Sequence, residues 1–147
     1  MKLLLFGFAI LLAQPGVAQH AEPVKTTRIH STPESAFITL SNDVGDLMRR
    51  AMSEASDDKA LALLQGQEAA ALSKRQQQLR PALTKWLKTL SSVQREAFAQ
   101  RMLQNSGMMK FMQSMDQNAK ANARLERNSK LGDAFQKLVY EMFVDKP

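Results

Sequence analysis

The chain has 147 residues, of which 44% are hydrophobic, with 20 Lys and Arg against 14 Asp and Glu and no cysteine. This length allows one domain at most, and the apolar fraction together with the mixed charge excludes a disordered chain. Six glycines and five prolines are too few for a collagen-like or low-complexity polymer, and the lack of cysteine excludes disulfides.

The first segment has the pattern of a secretory signal peptide. Lys2 gives a positive start, residues 3–13 form an apolar run, and Gly16 and Ala18 are small residues at the spacing that a signal peptidase accepts. The run of about 11 residues is shorter than the roughly 20 needed to span a bilayer, so we expect cleavage after Ala18, export to the periplasm or the medium, and no integral membrane protein. The predicted organisation is a signal peptide over residues 1–18, a flexible leader over residues 19–31 and a single α-helical domain over residues 32–147.

Helix signals fill the rest of the chain. Valine, isoleucine and threonine never alternate over a useful length, so no strand is predicted. Thr32 and Pro33 form a helix start, with Thr32 as the cap and the proline in the first turn. Apolar residues then recur at three- and four-residue spacing, which predicts a first helix as far as about Ser56.

The next helices are delimited by caps and by a proline. A second helix is predicted to start at Ser56 and to break or kink at Pro81, because a proline biases the residue before it away from helical dihedrals. Pro81 then opens a short third helix. Ser91 and Gln94 match a capping box that starts a fourth helix, and Gly107 is suited to end it in a left-handed conformation.

A fifth helix is predicted from about Met108 and a sixth from about Ser129. Between residues 118 and 128 the apolar pattern fades, so this stretch is either an exposed helix or a loosely ordered connection. The fold class that follows is all-α, an irregular bundle of four to six helices. The residues expected to be mostly buried are Phe37, Leu40, Val44, Leu47, Trp86, Phe98, Phe135 and Leu138.

Charge is distributed unevenly along the chain. Residues 31–70 hold three basic and seven acidic residues, whereas residues 71–101 hold seven basic residues and one acidic residue. Either helices of opposite charge pack together, or the basic segment meets an anionic partner, or both segments are simply solvated faces. The candidate residues for binding an anionic polymer or lipid surface are Lys74, Arg75, Arg80, Lys85 and Lys88.

Residues suited to catalysis are few. His20 and His30 both lie in the predicted leader, so neither a catalytic triad nor a zinc site is expected in the domain. The paired carboxylates Asp43 and Asp46 lie on the polar face of a helix, and Asp57-Asp58 is explained by a helix start. One Trp and one Tyr are too few for a nucleic-acid stacking platform. We therefore expect no enzyme, no cofactor and no nucleic-acid partner.

Methionine is concentrated in one segment, with five of the nine lying between residues 102 and 115. Methionine most often fills helical cores, which is the preferred interpretation. Alternatively, a pliable methionine-lined surface binds clients, or Met108, Met112 and Met115 hold Cu(I) or Ag(I) through soft thioether ligands.

The segment Leu90-Ser91-Ser92-Val93-Gln94-Arg95 is similar to the LTxxQ motif of small helical periplasmic stress proteins of the Spy and CpxP type, with serine in the threonine position. The resemblance covers six residues and implies a chaperone or regulator, although a capping box gives the same pattern. The sequence thus predicts an exported, non-catalytic protein that binds another envelope protein or an anionic surface. A chaperone-like stress protein with a methionine-lined client surface and a Cu(I)- or Ag(I)-binding protein are the alternatives.

Overall fold

A computed structural model describes residues 32–143, without the side chains of the last two. All the regular secondary structure of these residues is helical. The predicted signal peptide and leader lie outside these residues. The predicted all-α irregular bundle is confirmed. Its helices are α1 (Pro33–Ser53), α2 (Asp57–Gln65), α3 (Gln67–Thr89), α4 (Ser92–Asn105), α5 (Gly107–Asp116), α6 (Ala119–Arg127) and α7 (Ser129–Phe143).

The predicted second helix is interrupted at Gly66 rather than at Pro81. A Cβ atom at Gly66 would lie 2.7 Å from the Ala62 carbonyl oxygen, so the chain turns there at a residue without a side chain. Pro81 lies inside α3 and is exposed, as is Gln77 four residues earlier. Pro81 has no amide hydrogen to donate to the Gln77 carbonyl. Because Gln77 is exposed, water can donate a hydrogen bond to that carbonyl instead.

The first helix, α1, is the centre of the bundle. Thr32 caps it by accepting a hydrogen bond at Oγ1 from the Ser35 amide, 3.1 Å away, and Pro33 occupies the first turn, as predicted. The helix ends at Ser53, close to the predicted end, and packs against α2, α3, α4, α5 and α7. Its buried residues are Phe37, Leu40, Ser41, Val44, Gly45, Leu47, Met48 and Ala51.

Seven of the eight predicted core residues are buried, and Trp86 is half-buried. The Trp86 ring meets Phe98 edge-on at a centroid distance of 5.2 Å. On the other side of the core, Phe111 of α5 packs against Phe135 of α7 at 5.9 Å. These ring contacts connect α3 to α4 and α5 to α7.

The crossing of α1 and α5 is close and contains polar groups. Ser41 and Ser106 are both fully buried and hydrogen-bond to each other through their hydroxyls. Ser106 also caps α5, and the Gly107 amide donates to Asn42 Oδ1 over 2.6 Å. The prediction that Gly107 ends α4 in a left-handed conformation is wrong, since Gly107 begins α5. A Cβ there would approach the Asn42 backbone to 3.1 Å, so close packing favours the glycine.

The stretch between residues 118 and 128 is helical and forms α6. It starts at the cap Asn118, whose Oδ1 accepts from the Ala121 amide over 3.1 Å, and it has no buried residue. Among residues 32–143, no helix combines the length and the apolar character that crossing a bilayer requires.

Candidate functional site

The outward side of α3 carries three exposed lysines, Lys74, Lys85 and Lys88. At 100° per residue these positions fall within about 60° of one another around the helix axis. The buried residues Leu72 and Gln76 lie on the opposite side of the helix. We call Lys74, Lys85 and Lys88 the lysine face; its two ends are about 21 Å apart at 1.5 Å per residue.

The two predicted arginines of this segment are engaged within the protein. Arg75 Nη1 donates to Asp43 Oδ2 of α1 over 2.6 Å. Arg80 is half-buried, and its Nη2 donates to the backbone carbonyl of Glu141 in α7 over 2.9 Å. The structure therefore places three of the five candidate residues on one face and directs the other two toward neighbouring helices.

Among the described residues, no carboxylate forms an ion pair with a lysine of the lysine face. The only acidic residue of α3 is Glu68, which pairs with Arg50 of α1. Gln77, Gln78 and Pro81, which lie between the lysines along the helix, are exposed and uncharged. A row of like charges without carboxylates between them produces a positive potential that extends into the solvent.

One carboxylate, Glu141 of α7, lies at the end of the face nearest Lys74. Ser73 donates a hydrogen bond to Glu141 Oε2 over 2.5 Å, and Lys137 Nζ lies 3.9 Å from Glu141 Oε1. Because Lys137 lies close to this carboxylate, Glu141 does not leave net negative charge at the edge of the face.

An open groove of about 390 Å³ between α1 and α3 is also lined with charged residues. Four of the five pair with one another, Arg50 with Glu68 and Arg75 with Asp43, and the fifth, Asp46, pairs with Arg49 outside the lining. A groove whose charges are already matched has little electrostatic preference for a ligand. The pairs also show that helices of opposite charge do pack together, which was one of the open alternatives.

The carboxylates of the described residues are not clustered as metal ligands. No group of three His, Cys, Asp or Glu side chains among these residues is arranged to hold a metal ion. Hydrogen bonds from Asn128 and Arg124 hold the pKa of Asp57 below its usual value of 3.8, against the opposing effect of burial. A general acid near neutral pH needs a raised pKa, so Asp57 is better suited to a structural ion pair.

Asp57 belongs to a junction of α1, α2, α6 and α7 that sequence reasoning missed. Arg124 Nε donates to Asp57 Oδ1 over 2.7 Å and its Nη1 donates to the Met52 carbonyl over 3.1 Å. Asn128 Nδ2 donates to Asp57 Oδ2 over 3.0 Å. The partners are about 70 residues apart along the chain, and the sequence contains no local signal that would pair them.

The methionines of α5 pack as the core interpretation predicts. Met108 and Met115 are 0% and 3% exposed, and Met112 is half-buried against the same core. A client surface requires accessible sulfur atoms. In this conformation Met108 and Met115 do not provide them.

The residues that resemble the LTxxQ motif form the predicted capping box. Gln94 Oε1 accepts from the Ser91 amide over 2.8 Å, and Ser91 Oγ accepts from the Gln94 amide over 3.3 Å. The spacing of these residues thus has a local structural role at the start of α4. Comparisons of the chain with protein-family models, with curated proteins and with solved structures found no match.

Proposed function

We propose that this protein is a small, exported, non-catalytic helical protein that binds an anionic surface of the cell envelope through the lysine face of α3. The observation that carries the proposal is that Lys74, Lys85 and Lys88 share one side of α3 and, among the described residues, form no ion pair. They are exposed on the side of α3 away from the core, whereas Arg75 and Arg80 make contacts inside the chain. Long, solvated ammonium groups in a row attract anions mainly through their summed field.

An elongated partner fits this arrangement better than a single small anion. The lysines extend over about 21 Å of a helix surface, too far for one phosphate or carboxylate to contact all three. An anionic polymer or a bilayer rich in anionic lipid offers negative charge over such a distance. An acidic face of another envelope protein is the alternative partner, which the experiment below separates from the other two.

The test compares two triple variants with the same net charge. The first, Lys74→Gln/Lys85→Gln/Lys88→Gln, removes the lysine face. The second, Lys59→Gln/Lys110→Gln/Lys120→Gln, removes three exposed lysines of α2, α5 and α6. Binding is measured by sedimentation with vesicles of phosphatidylglycerol, with phosphatidylcholine vesicles as the neutral surface, and by titration with a soluble polyanion, at 20 mM and 300 mM salt.

We expect the lysine-face variant to bind at least tenfold more weakly than the parent and the control variant to lose less than threefold. Binding of the parent should weaken at 300 mM salt because exposed charges are screened. Equal losses in the two variants would show that net charge, not the face, determines binding. An absence of binding to both vesicles and polyanion at 20 mM salt would refute the anionic surface and favour an envelope protein, to be identified by crosslinking.

A further inference from the structure

The helix α6 differs from the other helices in how it is held to the bundle. It has no buried residue, and its only apolar side chains packed against the core, Ala121 and Leu125, are half-buried. The preceding helix α5, of similar length, buries Met108, Phe111 and Met115. Segments with little buried apolar surface open at lower free energy than the rest of a fold.

Polar contacts also hold α6 to the bundle. Arg124 donates to Asp57 Oδ1 and to the Met52 carbonyl over 2.7 and 3.1 Å. Asn122 Nδ2 donates to the Met115 carbonyl over 2.9 Å. Water replaces such hydrogen bonds when a segment opens, so they resist opening less than buried apolar contacts do.

The burial of the Arg124 side chain is energetically unfavourable in one respect. It is 14% exposed, and its Nη2 atom is buried without a hydrogen-bond acceptor from the protein. A buried donor that lacks an acceptor destabilises the arrangement that buries it. Opening of α6 would return this nitrogen to solvent.

Both ends of α6 are single non-helical asparagines. Asn118 precedes it with φ −104° and ψ 80°, and Asn128 follows it with φ −112° and ψ 92°. Asn128 Oδ1 accepts from the Leu131 amide over 3.1 Å, so the cap of α7 does not depend on α6. Because α5 and α7 hold both ends of this segment, it opens by cooperative local unfolding between the two asparagines, without movement of the neighbouring helices.

From these observations we infer that α6 is a strap that opens as one cooperative unit, by local unfolding between Asn118 and Asn128 while the other helices stay packed, with the Arg124–Asp57 contact as its latch. Ala121 and Leu125 pack against the core, and α6 contacts both α5 and α7. Since Asn122 of α6 hydrogen-bonds to the Met115 carbonyl, we expect opening to uncover the buried Met115 side chain. The strap is a conformational property and does not depend on what the lysine face binds.

The absence of cysteine makes thiol labelling a direct test. Met115→Cys reports exposure beneath α6, and Met48→Cys in α1, a position that is 0% exposed, reports global unfolding. Each is combined with Arg124→Gln, which removes the latch, or with Arg101→Gln, which removes the ion pair with Glu34 between α1 and α4. Labelling rates are measured in native buffer with a small thiol reagent.

We expect the Met115→Cys thiol to react at least tenfold faster than the Met48→Cys thiol, and Arg124→Gln to accelerate only the former by a further tenfold or more. Arg101→Gln should leave the ratio of the two rates unchanged. Equal rates at both positions in every background would overturn the proposal. Hydrogen exchange of the unmodified chain provides a second measurement: amides of residues 123–127 should exchange at least tenfold faster than those of α1, and equal protection would contradict the strap.

Discussion

Gly45 determines how closely α1 and α5 approach each other. A Cβ atom at this position would lie 2.5 Å from both the Gly107 carbonyl carbon and the Met108 nitrogen. Both are backbone atoms, which cannot rotate away as a side chain does. In an exposed helix interior, alanine would instead be favoured over glycine by about 1 kcal/mol. The packing at this one residue therefore reverses the usual preference.

We expect Gly45→Ala to lower the free energy of unfolding by about 1–3 kcal/mol, because α5 must shift to admit the methyl group. The measurement is urea denaturation followed by circular dichroism. Thr39→Ala, at an exposed position of the same helix, is the control and should change stability by less than about 0.5 kcal/mol. A Gly45→Ala protein as stable as the parent would mean that the two helices are not in close contact at this point.

Asp57 makes stability depend on pH in the acid range. Its pKa in the folded protein is below the usual 3.8, chiefly through the hydrogen bond from Asn128 and then through Arg124. A lowered folded-state pKa means that the unfolded chain binds the proton more readily. The stabilisation is therefore complete above about pH 4 and is lost as the pH falls through the folded-state pKa.

The corresponding variant is Asp57→Asn. It should be less stable than the parent by a constant amount at pH 5–7, and the difference should shrink as the pH falls from 4 to 2. Urea denaturation across this range is the measurement, with Asp58→Asn, at the exposed neighbouring position, as control. A difference that does not vary with pH would show that the Asp57 carboxylate does not gain stability from ionisation.

Among the elements, α7 closes the core through its apolar side. Leu131, Ala134, Phe135 and Leu138 are all buried, and the Phe135 ring packs on Phe111. We expect Phe135→Ala to cost about 3–5 kcal/mol of unfolding free energy. Tyr140→Ala on the same helix, where the tyrosine is 48% exposed, should cost far less. An unchanged melting temperature for Phe135→Ala would remove α7 from the core.

The methionines of α5 distinguish the core interpretation from metal binding. Leucine and methionine are close in volume, and each exchange usually costs less than about 1.5 kcal/mol. The variant Met108→Leu/Met112→Leu/Met115→Leu should therefore lose at most a few kcal/mol and keep its fold. Titration of the parent with Cu(I) in the presence of a competing chelator should detect no stoichiometric complex. A complex that the leucine variant loses would establish the metal site instead.

Elements with both a cap and an apolar stripe were predictable from the sequence. The start of α1 at Thr32 and the capping box at Ser91 follow from local hydrogen bonds, and the core face of α7 follows from helical spacing. The path of α3 through Pro81 was not predictable, because a proline interrupts or continues a helix according to whether its lost hydrogen bond faces solvent. Only the tertiary arrangement determines this.

In the whole molecule, part of the uneven charge of the sequence is paired between helices. Arg75 meets Asp43 and Arg101 meets Glu34, so basic side chains of α3 and α4 connect these helices to the acidic side of α1. Exposed pairs of this kind contribute little stability individually. Composition alone identifies the basic segment, but it does not separate the lysines that remain at the surface from the arginines that pair, because the partners are 32 and 67 residues away.

The central position of α1 also bears on when the chain folds. A chain is synthesised from its N-terminal end, so α1, which packs against α2, α3, α4, α5 and α7, is made before any of these partners. Part of its apolar side stays uncovered until α5 and α7, the last large contributors to the core, have followed. The core is therefore complete only once most of the chain has been made. If the exported protein proposed above enters a translocation channel during its synthesis, it does so before this core is complete.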